Sequence, residues 1–186
     1  EQRILDEIAA MIAENPGLLR GRLLILCGEN WSHGVIGIVC ARLLERYGKP
    51  VLLMSADGDF LRGSARSIGE FHLFKALSAN SDLLTQYGGH KLAAGFSLRK
   101  EDFPAFCAGM ERYAAKHFDL MPRATLPITG ILTKADLAVD VIRELSIFEP
   151  FGAQNEAPVF LLQNAKIESA AVLSGGKHLR LTVRTA

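Results

Sequence analysis

Neither charge is in excess in this 186-residue chain: 21 Lys and Arg stand against 20 Asp and Glu, a formal net charge of +1. The chain as a whole is not basic, so any nucleic-acid role has to come from a local patch. Long apolar runs are missing as well. The longest falls far short of the about 20 residues that a membrane-spanning helix needs, and no cleavable signal opens the chain. A soluble, cytoplasmic protein is the expectation. Cysteine is scarce: Cys27, Cys40 and Cys107 are odd in number, widely spaced and set among apolar residues. That pattern excludes a disulfide framework and a zinc site, leaving reduced core thiols. Catalytic signatures are absent too, with no Walker loop, nucleophile elbow or dinucleotide fingerprint. A two-metal hydrolase gathers Asp and His side chains to clamp the attacking and leaving oxygens. Here carboxylates are scattered and no two histidines sit at ligand spacing, so this chain alone is not expected to be an enzyme.

What is present is ordinary globular material, 49% hydrophobic and 22% charged, enough for one ample core or two smaller ones. Both ends read as cut. The chain opens inside a helical pattern (Ile4, Leu5, Ile8, Ile12) and closes on the alternation Leu179-Arg180-Leu181-Thr182-Val183, as expected of a piece of a longer protein. The first helix runs to about Glu14, stopped by Asn15-Pro16-Gly17. Residues 23–26 form a short apolar run, the mark of a strand buried on both faces. Ile36, Val39, Cys40, Leu43, Leu44 and Tyr47 recur at helical spacing up to Gly48, and residues 51–54 are a second buried strand. Strand, helix, strand predicts a parallel βαβ unit.

After the Asp57-Gly58 turn, residues 60–67 read as a strand, 71–77 and 82–87 as helices, 94–98 as a short strand and 101–118 as a helix. From Met121-Pro122 the texture shifts. Residues 126–132, 158–162, 165–173 and 178–183 read as strands and 137–148 as one helix, a pattern that suits a small barrel or open sheet.

Three features suit an anion. Arg62-Gly63-Ser64-Ala65-Arg66-Ser67, on a strand, puts Arg62, Ser64 and Arg66 in one row, two guanidinium forks flanking a hydroxyl. A solvated strand face would look the same, although the small Gly63 and Ala65 fit close packing beneath. In Tyr87-Gly88-Gly89-His90-Lys91 the paired glycines let consecutive N–H groups converge on a phosphate, or merely turn the chain after a helix. Trp31-Ser32-His33-Gly34 stands where a strand meets a helix N-terminus, which favours anions. The bland alternative there is a capped helix with a half-buried Trp.

Together these segments carry a resemblance. The run from Trp31-Ser32-His33-Gly34 through Val39, with Arg42-Leu43 and Tyr47-Gly48-Lys49-Pro50, resembles the opening of the DHHA1 domain of RecJ-type single-strand-specific exonucleases. Gly63-Ser64-Ala65-Arg66-Ser67 is similar to that family's phosphate-binding strand. Gly88-Gly89-His90-Lys91-Leu92-Ala93-Ala94-Gly95 is similar to its glycine-histidine substrate motif. Residues 149–160, beginning Glu149-Pro150-Phe151-Gly152, resemble a segment of its OB-like domain. Four motifs stand in order over nearly the whole chain.

The resemblance implies an α/β fold: a DHHA1-type sheet flanked by helices, then a smaller, mostly β, truncated OB-like domain. Residues 1–16 would be the end of a linker helix, 17–121 the DHHA1 substrate-binding domain and 122–186 the partial OB-like domain. It implies that the parent is a 5′→3′ single-stranded-DNA exonuclease of recombination and repair, whose DHH domain, missing here, holds Mn²⁺ or Mg²⁺. No metal is expected in this chain. His90 would be catalytic. Arg66 and Ser64 would hold a terminal phosphate and Gly88 and Gly89 the phosphate near the metals, with Arg62, Ser67, Lys91 and His33 as further phosphate contacts. Phe151 is a stacking or a core residue. Single-stranded DNA is the implied partner, with a single-strand-binding protein or helicase beside it, no membrane, and a monomeric state. Two other readings stay open: a DHH/DHHA1 phosphodiesterase of short oligonucleotides or cyclic dinucleotides, and a non-catalytic replication scaffold.

Overall fold

The structure is a computed structural model that describes residues 1–119, 125–152, 154–176 and 178–184, except the side chain at 142. The expected boundary at 121/122 lies outside the described residues, as does Ala153 of the 149–160 segment. Two compact units divide the chain, Glu1–Thr125 and Leu126–Ala186.

In the first unit, five strands are ordered β1-β2-β3-β5-β4: β1 (Leu24–Gly28), β2 (Val51–Asp57), β3 (Phe60–Arg66), β4 (Gln86–Gly89) and β5 (Ala93–Arg99). The expected parallel βαβ unit is β1, α2 (His33–Tyr47) and β2. Every other pairing in this sheet is antiparallel. Gly48 ends α2 at φ 62, the left-handed cap that glycine takes without a Cβ clash.

Alternation along β2 divides the interior. Val51 and Leu53 face one core, with Ile4, Ile8 and Ile12 of α1 (Gln2–Glu14) and Ile36, Val39, Cys40 and Leu43 of α2. Leu52 and Met54 face the other, with Leu73, Ala76 and Leu77 of α3 (Leu73–Ser78) and Phe106, Met110 and Ala114 of α4 (Phe103–His117). Buried residues spaced three and four apart on α2 and α4 are the apolar stripes that the sheet needs as cover. Cys40 is buried, Cys27 and Cys107 are half-buried, and all three are free thiols. Desolvation pushes the Cys40 thiol up to about 12 and that of Cys107 up to about 11.

Residues 82–87 are not a helix. A single 3-10 turn, Ser81–Leu83, gives way to strand, and the Thr85 N–H already donates to the Ser97 carbonyl at 2.8 Å. Leu83, Leu84 and Tyr87 pack against the core, so tertiary burial sets the conformation over a local pattern too short to nucleate a helix. The Gly88-Gly89 pair therefore lies in β4, and the chain reverses one step later, at His90-Lys91-Leu92.

The second unit pairs β6 (Gly130–Leu132) with β7 (Phe160–Leu162) in parallel and β8 (Lys166–Leu173) with β9 (His178–Arg184) antiparallel. The strand expected over 126–132 is confined to its last three residues. The helix expected over 137–148 is α5 (Val139–Glu144) followed by a 3-10 turn, Leu145–Phe148.

Gly63 marks the tightest point under β3. A Cβ there would overlap the ring of Phe96, which is 4% exposed. Gly63→Ala is expected to lower unfolding stability by about 1–3 kcal/mol, the usual cost of overpacking. Gly88→Ala, whose Cβ meets nothing within 4 Å, should leave the urea midpoint in place. Equal midpoints for the two variants would refute this account of the packing.

Candidate nucleic-acid interface

Strand β3 works on both faces. Leu61 and Ala65 belong to the α3/α4 core, while Arg62, Ser64 and Arg66 sit opposite Ser55, Leu53 and Val51. By the two-residue period of a strand, that row shares the face covered by α1 and α2. Helix α2 touches it directly: a Cβ on Gly37 would stand 3.1 Å from Arg66 Nη2 and 3.6 Å from Ser64 Oγ. The Cys40 thiol donates to the Ser64 carbonyl at 3.2 Å. Beyond α2 the same face continues across β5 and β4, where Gln86, Gly88 and Gly95 are exposed. It holds an open cavity of about 680 Å³ lined by His33, Arg62, Ser64, Gly88, Gly95 and Ser97 among others.

The expected site residues separate clearly. Arg66 is half-buried, its Nη1 donates to the Ala65 carbonyl at 2.9 Å, and among the described residues no carboxylate pairs with it. Its charge is thus held in place and left uncompensated, as an anion grip requires. Arg62 is committed to Asp57 at 3.0 Å and Lys91 to Glu70 at 2.8 Å. The Lys91 ammonium holds the Glu70 carboxyl below its ordinary range, by hydrogen bonding first and charge second. His33 is exposed in the first turn of α2 and lines the cavity.

Ser67 is not brought to this group. Its hydroxyl is buried and donates to the Phe71 carbonyl at 2.7 Å, and its N–H donates to Leu92. It ties β3 to the 90–92 turn. Trp31, read as half-buried, is only 2% exposed. Its ring covers Gly28, its N–H reaches Ser55 Oγ at 3.1 Å and its Nε1 donates to Glu7 at 2.6 Å, so it anchors the start of α2. Phe151 is half-buried in the second unit.

Gly89 has φ 138, and a Cβ there would collide with the Ala93 carbonyl and Ala94. Only glycine serves at that point. The next residue, His90, is exposed, donates its N–H to Ala93 at 2.8 Å and accepts the Leu92 N–H on Nδ1 at 3.3 Å. That bond leaves Nε2 as the ring nitrogen available to a ligand. Among the described residues no group of three or more His, Cys, Asp or Glu could hold a metal ion.

Sequence reasoning overlooked Gln86 and Ser97, which share the cavity with Gly95, the last residue of the glycine-histidine segment. Nothing local marks Gln86 and Ser97. Only the pairing Arg62↔Ser97↔Gln86 and Ser64↔Gly95↔Gly88 brings them to the row.

The DHHA1 domain model matches residues 20–116 and the RecJ OB domain model residues 128–186. The single-stranded-DNA-specific exonuclease RecJ of Bacillus subtilis is 31% identical over 98% of this chain, and that of Thermus thermophilus 39% identical over 88%. The chain spans 23% of the length of each. The crystal structure of Thermus thermophilus RecJ in complex with Mn²⁺ superposes with a TM-score of 0.75 and 35% identity, over 94% of this chain and 26% of that one. Its Mg²⁺ complex gives 0.73 and 34%, over 98% and 30%. With one family model over its first unit and a second over the next, the chain belongs to the DHHA1 domain family, in the arrangement of the RecJ-type proteins.

Proposed function

We propose that this chain is the substrate-gripping part of a 5′→3′ single-stranded-DNA exonuclease acting in recombination and repair. Arg66 carries the reading, as a half-buried guanidinium with no carboxylate partner among the described residues, under Gly37 of α2 and next to Ser64, which lines the open cavity. Residues 17–121 form the grip, 122–186 supply groove contacts to the trailing strand, and 1–16 end the helix that links to the metal-bearing domain. Arg66 and Ser64 hold the terminal phosphate. Gly88, Gly89 and His90 address the phosphate being cut, with Lys91, Arg62 and His33 around them. The divalent ions, Mn²⁺ or Mg²⁺, belong to a DHH domain of the parent protein and there activate water, so this chain by itself hydrolyses nothing. The parent works in the cytoplasm on strands exposed by a helicase or held by a single-strand-binding protein, and this part is monomeric.

Binding of a 5′-phosphorylated single strand should be weak and salt-sensitive, with log affinity falling by about 0.7 per phosphate contact for each unit of log salt. Arg66→Ala is expected to weaken it about tenfold or more, the scale of a hydrogen bond to a charged group. Arg143→Ala, on the exposed face of α5 and paired with Asp140 at 3.4 Å, should change it little. Equal losses in fluorescence anisotropy would place the grip elsewhere.

Glu70 restrains Lys91, so Glu70→Gln should tighten binding, by no more than about fivefold for so exposed a pair. Because the carboxyl is held below its ordinary value of 4.5, the pair persists through neutral pH and is lost as pH falls through the lowered value. The wild type should gain the same increment in acid, and the variant should not. A variant that binds no better than wild type at neutral pH would remove Lys91 from the phosphate contacts.

In the parent protein with its metal domain, His90→Ala should slow single-turnover cleavage by about 10²–10⁴-fold while strand binding holds. Arg66→Ala should do the reverse, because its contact already exists in the ground state. Wild-type cleavage by bound His90→Ala enzyme would reduce His90 to a turn residue.

A further inference from the structure

The other face of the five-stranded sheet, covered by α3 and α4, carries a second cavity. It holds about 460 Å³ between Asn80, just past the end of α3, and the outer face of α4 from Gly109 to His117. Arg112, Lys116 and His117 give it one sign of charge, and no carboxylate lines it among the described residues. Nor does Arg112 or Lys116 enter an ion pair there, although like charges one helical turn apart repel. Cations in the last turn of a helix offset its dipole. That accounts for Lys116 and His117 but not for Arg112, which stands a turn earlier.

Two further features point to a ligand. Asn80 is only 6% exposed, and its Nδ2 donates to the Ala76 carbonyl at 2.9 Å and to Met110 Sδ at 3.6 Å. Its Oδ1 accepts nothing among the described residues. A Cβ on Gly109 would stand 1.9 Å from that oxygen and 3.7 Å from Arg112 Nη2. Glycine weakens a helix interior, and here the missing side chain is what admits the amide oxygen to the cavity wall beside the guanidinium. At the opposite end, His117 stacks on Tyr113 with ring centres 4.1 Å apart and planes 25° from parallel. Its Nδ1–H donates to the Tyr113 carbonyl at 2.9 Å. Tyr113 in turn meets the buried Phe71 edge-on at 6.0 Å. The exposed His117 ring is thus fixed through one face and one nitrogen.

We infer that this cavity is a second single-strand site, which takes two successive nucleotides: one base stacked on His117, phosphates on Arg112 and Lys116, and an N–H of the other base on Asn80 Oδ1. It lies behind the sheet, apart from the grip of Arg66 and Ser64, and stands or falls without it. Arg112 and Lys116 are about 6 Å apart along the axis of α4, and Gly109 to His117 covers about 12 Å. Phosphates only accept hydrogen bonds, whereas adenine, cytosine and guanine also present amino donors, and a lone amide oxygen at one end of a basic groove suits a ligand that carries both. An ordered ring beside cations is how sequence-tolerant single-strand sites are built. An acidic peptide would satisfy the two cations but leave the open face of His117 unused.

The test is an NMR titration of this chain with a deoxycytidine tetranucleotide bearing a 5′-hydroxyl, read at the amides of Gly109 and Lys116, with Gly88 reporting the grip separately. Gly109 and Lys116 should shift together and saturate, in the wild type and in Arg66→Ala alike. The double variant Arg112→Ala, Lys116→Ala should no longer saturate at Gly109 at millimolar oligonucleotide. His117→Ala should weaken binding about fivefold or more, the scale of one base-on-ring stack, and His117→Phe should restore it. All three side chains are exposed, so the variants keep the fold. Absence of the Gly109 and Lys116 shifts at millimolar oligonucleotide overturns the inference, as does a His117→Ala variant that binds like wild type. A tetraglutamate peptide that shifts the same amides as tightly as the oligonucleotide overturns it in favour of a protein partner. Loss of the shifts in Arg66→Ala overturns it as well, because the strand would then reach α4 only by way of the grip. None of these results bears on the Gly88 signal, by which the grip itself is judged.

Discussion

Strand β3 can be read in only one register, and the rest of the site depends on that. Leu61 and Ala65 are buried, and Gly63 lies beneath the Phe96 ring. Arg62, Ser64 and Arg66 alternate with them toward the other face. A slip of one residue would drive two guanidinium groups into an apolar core and carry Leu61 and Ala65 out to water. Burying an unpaired charge costs far more than the stability of a domain this size can absorb. The same alternation that packs the interior therefore aims the polar row, and the row needs no separate device to orient it.

Placement of α2 decides how much of that row is left open. Its start is set by Trp31, sealed over Gly28 and held through Ser55 and Glu7. The link between α1 and β1 is pinned from both sides. The Lys49 ammonium donates to the Leu19 and Gly21 carbonyls at 2.7 Å each, and the Glu111 carboxylate accepts from the Arg22 and Leu23 N–H groups. Burial lowers the Lys49 pKa, against the pull of Glu111, yet the two carbonyls give the charge a use in that setting. These ties seat α2 over β2 and β3. Among the described residues of the first unit, no helix covers the far half of the face, on β5 and β4, where Gln86, Gly88 and Gly95 are exposed.

Much of this was legible in the sequence. Period-two alternation in β3, helical stripes in α1, α2 and α4, and the apolar runs of β1 and β2 each report a local periodicity, and each corresponds to an element in the structure. Residues 82–87 misled because the stretch holds too few residues to express a period, and burial of Leu83, Leu84 and Tyr87 set its conformation. Ser67 misled for another reason. It stands next to Arg66 in sequence but on the opposite side of the strand, where its hydroxyl serves Phe71. Gln86 and Ser97 were silent because their proximity to Arg62 is created by pairing across β3, β5 and β4. Sequence distance holds no trace of that.

The three glycines around the cavity separate two needs that composition alone merges. Gly89 is demanded by the backbone, since its φ of 138 and the nearby Ala93 and Ala94 leave no room for a side chain. Without it the turn could not set His90 beside the end of β5. Gly88 and Gly95 are demanded by nothing within the fold, and in a strand each forgoes packing and raises the entropy cost of ordering. A stable sheet would gain from β-branched residues at both positions. Both stay bare, paired across β4 and β5 on the face that holds the cavity, so the cavity's floor there is backbone alone.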